Sequence, residues 1–305
     1  IGTLFGWKTR MRVGFIGIGL MGLPLCQRLL NAGVALQVWN RSPNKTDSLI
    51  ASGALCANSP AELAAQVDVL LLCVSDSAAV SAVMHGEQGI LAGAHAGLIV
   101  VDHSSITAEL SRALAAELQA RAGALWIDAP VSGGVVGAEQ GRLVIMAGGD
   151  AKAIAQITPL LSHYAQRITR MGDVGAGQVT KICNQLIVAA NSLLIAETVA
   201  LAEQAGVDAR LLAPALAGGF ADSLPFQILT PRMAERRFHP VQWNVQTLLK
   251  DLGNAVALGQ TVSSPLPLAQ AAHLLMQQHA SQGFSSEDLS TTVLLHASTL
   301  SALQE

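Results

Sequence analysis

The sequence predicts an α/β protein in two parts: an N-terminal doubly wound sheet and a C-terminal all-α domain, joined by one long helix. Three observations predict it. Short apolar runs alternate with helical patterns through the first half of the chain. A glycine-rich turn lies directly between the first of those runs and the first helix. After one long helical stretch near the middle, no strand signal returns. A chain of 305 residues is long enough for two domains, each with a core of its own.

The elements follow in order. Residues 1–10 (IGTLFGWKTR) are too short and irregular for a signal peptide, and a natural-looking start appears at Met11, so they are expected to be a non-native or irregular extension. RVGFI then suits a buried parallel strand, Gly17-Ile18-Gly19-Leu20-Met21-Gly22 forms the turn, and PLCQRLLNAG makes a helix closed by Gly33. ALQVWN (35–40) supplies the next strand. Further apolar runs stand at VDVLLLCV (67–74), GLIVVD (97–102), ALWIDA (124–129) and RLVIMAGG (142–149), separated by patterns such as TAELSRALAAELQAR. This βα alternation assigns residues 11–173 to the sheet domain.

The next segment reads as one helix from near Gly175 to near Gly206. At 1.5 Å per residue it would span about 45 Å. It is apolar around most of its circumference and should be buried by neighbouring helices or by a second subunit. From about 207 the pattern stays helical, punctuated by Pro225, Pro231, Pro240, Pro265 and Pro267, which makes 174–305 a helical substrate and oligomerisation domain. Phe220, Phe226, Phe238 and Trp243 are expected mostly in its core.

Bulk properties exclude several functions. A net charge of −3 leaves no basic footprint for nucleic acid. No run of eighteen residues lacks a polar interruption, so no membrane association is expected. Cys26, Cys56, Cys73 and Cys183 are widely separated, with no zinc-like spacing and no expected metal, which suits a reduced, cytoplasmic protein.

The glycine turn carries the first functional signal. In G-x-G-x-x-G the first glycine permits the tight turn, the second lets a pyrophosphate approach the backbone, and the third lets helix and strand pack closely. Its place between a strand and a helix marks a Rossmann-type dinucleotide site formed by Gly17, Ile18, Gly19, Leu20, Met21 and Gly22. NAD-selective sites usually end the second strand on Asp or Glu. Here Asn40-Arg41-Ser42 stands instead, removing the carboxylate and offering a guanidinium to a 2′-phosphate, so NADP(H) is preferred and NAD(H) possible. The lesser alternative is that Arg41 is a solvated loop residue.

Two further segments suggest chemistry. Ser132, Gly133 and Gly134 in DAPVSGG form a loop of backbone N–H groups and one hydroxyl, suited to a carboxylate, though an ordinary glycine-rich connection reads the same. On the long helix, Lys181 and Asn184 are neighbours on one face and Gln185 borders them. An ammonium beside a carbonyl being reduced can donate the proton and stabilise the oxyanion. A lysine snorkelling to solvent is the alternative. His103 adjoins the expected cofactor edge and is assigned no role.

The segments GFIGIGLMGLPL, DAPVSGGVVGAEQGRL, GAGQVTKICNQ and KDLGNA (250–255), in that order from Met11 almost to the C-terminus, resemble the β-hydroxyacid dehydrogenase family, whose C-terminal domain is like that of 6-phosphogluconate dehydrogenase. The resemblance implies that Lys181 is the catalytic lysine and that Ser132, Gly133, Gly134 and Asn184 contact substrate. It also implies cofactor roles for Lys250 and Asp251 and for the turn at Val74 and Ser75. Ser105 stands where relatives often carry threonine, a change that keeps the hydroxyl. The implied activity is NADP(H)-dependent reduction of a short semialdehyde acid, most like a tartronate semialdehyde (2-hydroxy-3-oxopropionate) reductase, with the two domains closing over the substrate. An NAD-dependent 3-hydroxyisobutyrate dehydrogenase or a succinic semialdehyde or glyoxylate reductase is the enzyme alternative, and a non-catalytic nucleotide-binding module is the alternative from another class. Relatives that reduce imines tend to lack the lysine. The expected partner is a small carboxylate-bearing aldehyde or 3-hydroxy acid, and the expected assembly is a homodimer or homotetramer.

Overall fold

The computed structural model describes residues 11–299; the extension expected over 1–10 lies outside them. The described residues divide into two compact units, one up to Lys181 and one from Ile182 onward. The division falls inside the long helix, a few residues beyond the boundary set at 173 from sequence.

The first unit is a nine-stranded sheet. Its first half runs β1 (Val13–Ile16), α1 (Gly22–Asn31), β2 (Leu36–Trp39), α2 (Asp47–Ala51), β3 (Leu55–Cys56), α3 (Pro60–Gln66), β4 (Val69–Leu72), α4 (Ser77–Met84), α5 (Ile90–Gly93) and β5 (Ile99–Asp102). Next come α6 (Ala108–Ala122), β6 (Leu125–Asp128), β7 (Val131–Ser132), α7 (Gly134–Glu139), β8 (Leu143–Gly148), α8 (Ala151–Leu161) and β9 (Ala165–Gly172). Strand order is β3-β2-β1-β4-β5-β6-β8-β7, with β9 pairing β8. The first six strands are parallel, in the order of a dinucleotide-binding sheet, and β8 reverses against β6.

The central strands read as unbroken apolar runs because both sheet faces are covered. Phe15, Val69, Leu71 and Val101 pack into one core, and Ile16, Leu70, Leu72 and Val100 into the other. Gly33 takes φ +79° after α1, the left-handed residue expected at that helix end. Strands β3, β7 and β9 were not legible as apolar runs. The first two are two residues long, and most of β9 (AQRITRMG) is exposed and polar at the sheet's edge.

Helix α9 (Ala176–Gln204) begins and ends within two residues of the expected limits. By length and composition it could cross a membrane, but Ala189, Leu193, Ile195, Ala196 and Val199 belong to the core of the second unit. The second unit is completed by α10 (Leu212–Leu216), α11 (Leu224–Ala234), α12 (Val245–Thr261), α13 (Pro267–His279) and a terminal 3₁₀ segment over Leu289–Thr299. A buried ion pair between Arg232 and Asp288 (3.2 Å) ties α11 to the residue just before that segment, and Asp288 also accepts from the Gln242 amide at 2.7 Å. Phe226 lies in this core and Phe238 packs on it, whereas Phe220 and Trp243 are exposed, contrary to expectation, because each sits on a connection between helices.

Candidate active site

The residues read from the first half gather at the carboxyl ends of the parallel strands. Gly17 needs to be glycine twice over: its φ is +99°, and a methyl there would lie 2.2 Å from the Cys73 carbonyl oxygen. A methyl on Gly22 would lie 1.9 Å from the Gly17 oxygen. Gly19 is different, since a methyl there would meet nothing within 4 Å. The turn therefore leaves an open approach over its middle glycine, at the N-terminal end of α1, where the helix dipole presents its positive end. That arrangement fits the pyrophosphate of a dinucleotide.

Asn40 does more than remove a carboxylate. Its Oδ1 accepts from the Ile18 N–H (2.8 Å) and its Nδ2 donates to the Ser42 carbonyl (2.9 Å), tying the glycine turn to the end of β2. Arg41 and Ser42 are exposed beside it. At the end of β4, the Val74 N–H donates to the buried Ser104 hydroxyl (2.9 Å), and Ser75 donates to Asp76, which caps α4 through the Ala79 N–H. Ser105 is exposed next to Ser104.

Beneath this rim lies a buried polar layer. Asp102 Oδ1 accepts from the Ser104 N–H (2.9 Å), while its Oδ2 has no partner among the described residues; burial pushes its carboxyl up to about 7. His103 meets the Ala129 carbonyl (2.7 Å) and the Tyr164 hydroxyl (2.9 Å), and burial lowers it to about 4, so it is a neutral structural brace. Burial also pushes the Cys73 thiol up to about 12 and raises that of Cys26, whereas Cys56 and Cys183 are exposed.

Asp128, at the end of β6, caps α9. Its Oδ1 accepts from the Gly175 N–H (2.7 Å) and its Oδ2 from the Gln178 N–H (2.9 Å). Burial raises this carboxyl, and the helix amides oppose that rise. The helix backbone lies directly on the sheet: a methyl on Gly177 would stand 2.3 Å from the Met146 oxygen and 2.7 Å from the Asp128 oxygen. Sequence reasoning missed Asp128 and Gln178, because partners 50 residues apart leave no local pattern.

Ser132 is half-buried in β7, and Gly133 (φ +129°) and Gly134 (φ +62°) are exposed where α7 begins. Lys181 is half-buried one turn beyond Gln178. In the second unit, Asn184 donates to Gln185 Oε1 (2.9 Å), and Gln185 donates to Asp251 (2.6 Å), next to Lys250 on α12. Asp251 is thus engaged by the helix that bears Lys181. Among the described residues no cluster of His, Cys, Asp or Glu could hold a metal.

Two family models match the chain: the NAD binding domain of 6-phosphogluconate dehydrogenase over residues 12–172, and the NAD-binding domain of NADP-dependent 3-hydroxyisobutyrate dehydrogenase over 175–296. The 2-hydroxy-3-oxopropionate reductase of Escherichia coli is 34% identical over 283 residues, 93% of this chain and 96% of that one. The NAD-dependent L-serine dehydrogenase of Pseudomonas aeruginosa is 32% identical over 285 residues, 92% and 95% of the two chains. The structure of Mycobacterium tuberculosis 3-hydroxyisobutyrate dehydrogenase with L-serine superposes with a TM-score of 0.83 at 28% identity, covering 93% of this chain and 98% of that one.

Fold, glycine turn and matches together define an NAD(P)-dependent oxidoreductase acting on hydroxy acids. The chain belongs to the β-hydroxyacid dehydrogenase family.

Proposed function

We propose that this protein is an NADP(H)-dependent reductase of a short semialdehyde acid, most like tartronate semialdehyde, with Lys181 as the proton donor. One observation carries the reading: an amine stands on a largely apolar helix whose first turn is fastened, through Asp128 and Gln178, to the strand ends that form the nucleotide rim. A bound reduced nicotinamide supplies the hydride. As the carbonyl carbon gains that hydride, the oxygen gains a lone pair and charge; the Lys181 ammonium stabilises it and passes it a proton, leaving a neutral amine. Ser132, Gly133 and Gly134 receive the substrate carboxylate through backbone N–H groups and a hydroxyl, and Asn184 and Gln185 follow Lys181 on the same helix to border the reacting end.

Support for NADP(H) is the absence of a carboxylate at the end of β2, where Asn40 is fixed and Arg41 is exposed and able to pair with a 2′-phosphate. The names of relatives divide between the cofactors and among several substrates. We place the protein in a reducing cytoplasm, in keeping with its four free thiols. We also infer a homodimer or homotetramer, supported by Ile187, Leu194 and Leu201, exposed at seven-residue intervals along α9. Sedimentation velocity should show no monomer at micromolar concentration, and a purely monomeric boundary would refute the assembly.

The decisive experiment is Lys181→Ala, assayed by NADPH oxidation against tartronate, succinic and methylmalonate semialdehydes and glyoxylate. Loss of general acid catalysis should lower kcat by about 10²–10⁴-fold, while NADPH still binds. A variant turning over at near-normal rate would end the proton-donor reading.

A further inference from the structure

We propose that Gln178 is a positioning residue that fixes Lys181 against the cofactor rim by clamping the Ser104-Ser105-Ile106 turn to the first turn of α9. The proposal rests on the reading of Lys181 as proton donor.

Gln178 is buried, with 1% of its surface exposed, and both ends of its side-chain amide and its backbone N–H are used. Its Nε2 donates to the Ser104 carbonyl (2.8 Å), its Oε1 accepts from the Ile106 N–H (3.3 Å), and its own N–H donates to Asp128 Oδ2 (2.9 Å). The amide orientation is forced, because one partner is a carbonyl and the other an N–H. The carboxamide therefore grips the backbone on both sides of Ser105, much as a neighbouring strand would, and leaves that exposed hydroxyl at the rim.

The grip extends further. Ser104 offers its carbonyl to Gln178 and its hydroxyl to the Val74 N–H, so the turns after β4 and β5 are tied to each other. Asp128 holds the Gln178 N–H from the end of β6, immediately before the Ser132 loop. Lys181 follows Gln178 by three residues, so its Cα is set by the same turn of helix. Three rim segments and the Lys181 backbone thus share one reference. An ionised glutamate could only accept and methionine could not donate and accepts only weakly, so a carboxamide is the side chain that closes both bonds.

A misplacement of about 1 Å can cost roughly 10²-fold in rate without altering nucleotide affinity. The experiment compares wild type, Gln178→Met, Gln178→Glu, Lys181→Ala and the double variant Gln178→Met/Lys181→Ala. Readouts are kcat, KM and the NADPH dissociation constant, using the semialdehyde of the panel that wild type reduces fastest. Gln178→Met should lower kcat at least tenfold with the NADPH constant within threefold, Gln178→Glu should lie between it and wild type, and the double variant should be no slower than Lys181→Ala alone. A kcat for Gln178→Met within twofold of wild type overturns the proposal. So does an NADPH constant that rises in step with the loss of rate, or a double variant slower than Lys181→Ala by the full single-variant factor. Should Gln178→Met not fold, Gln178→Glu decides: a kcat lowered more than twofold with the NADPH constant within threefold of wild type supports the proposal, and a kcat within twofold of wild type overturns it. A fully active Lys181→Ala defeats the proton-donor reading itself. An inactive Lys181→Ala beside an unimpaired Gln178→Met defeats only the positioning role.

Discussion

Replacing the glycines of the 17–22 turn one at a time should separate folding from cofactor binding. An added methyl at Gly22 lands 1.9 Å from a backbone oxygen, against an ordinary carbon–oxygen contact of about 3.3 Å. The turn and α1 must then part by more than 1 Å, which breaks packing of Gly22 against Gly17 and Phe15. Overpacking of this kind costs about 1–3 kcal/mol or more, and in a unit of this size each kcal/mol lowers Tm by about 2–4 °C. Gly19→Ala meets nothing, so its stability should stay within about 0.5 kcal/mol of wild type. Its methyl instead occupies the pyrophosphate's approach, and about 1–3 kcal/mol lost there weakens NADPH by about 5–150-fold. Thermal melts and fluorescence titration with NADPH on both variants make the comparison. A Gly19→Ala protein that binds NADPH as tightly as wild type would refute the assignment of that open space to the nucleotide, and a Gly22→Ala protein of unchanged Tm would refute the contact argument.

Two other perturbations follow from the site. Arg41→Ala should reduce kcat/KM for NADPH by tenfold or more while leaving NADH nearly untouched; an unchanged ratio between the cofactors would mean that Arg41 is only a solvated loop residue. Asp102→Asn isolates one titration: the wild-type carboxyl, raised to about 7 in the folded protein from its ordinary 3.8, binds its proton more tightly when folded, so the stability it contributes is complete below 3.8 and is lost as pH rises through 7. The carboxamide of the variant does not titrate, so the variant's unfolding free energy should gain on wild type between pH 5 and pH 8, by an amount on the order of 2–4 kcal/mol. His103 and His279 titrate in both proteins and cancel in the difference; equal differences at the two pH values would show that Asp102 is not buried as described.

Sequence pattern revealed the parallel strands because burial on both faces makes each a continuous apolar run, and it revealed α9 because nothing in 176–204 breaks a helix. It failed where structure depends on pairing rather than composition, as at β9, whose polar residues ride the sheet edge beside β8. The glycine turn was legible because three spaced glycines have a local steric cause. The capping of α9 was not, since Asp128 and Gln178 look like ordinary residues until the sheet brings the strand end under the helix. Asn40 was legible in charge and not in role: its hydrogen bonds to Ile18 and Ser42 depend on the register of β1 with β2.

The contrast among the four thiols has a practical consequence for watching this enzyme work. Cys26 and Cys73 sit deep in the sheet unit with their thiolates suppressed, whereas Cys56 and Cys183 face solvent. In a Cys183→Ser background, a maleimide dye at neutral pH would attach selectively at Cys56 in β3, which pairs with β2. That single fluorophore would report, in real time, changes near the end of β2 as nucleotide arrives.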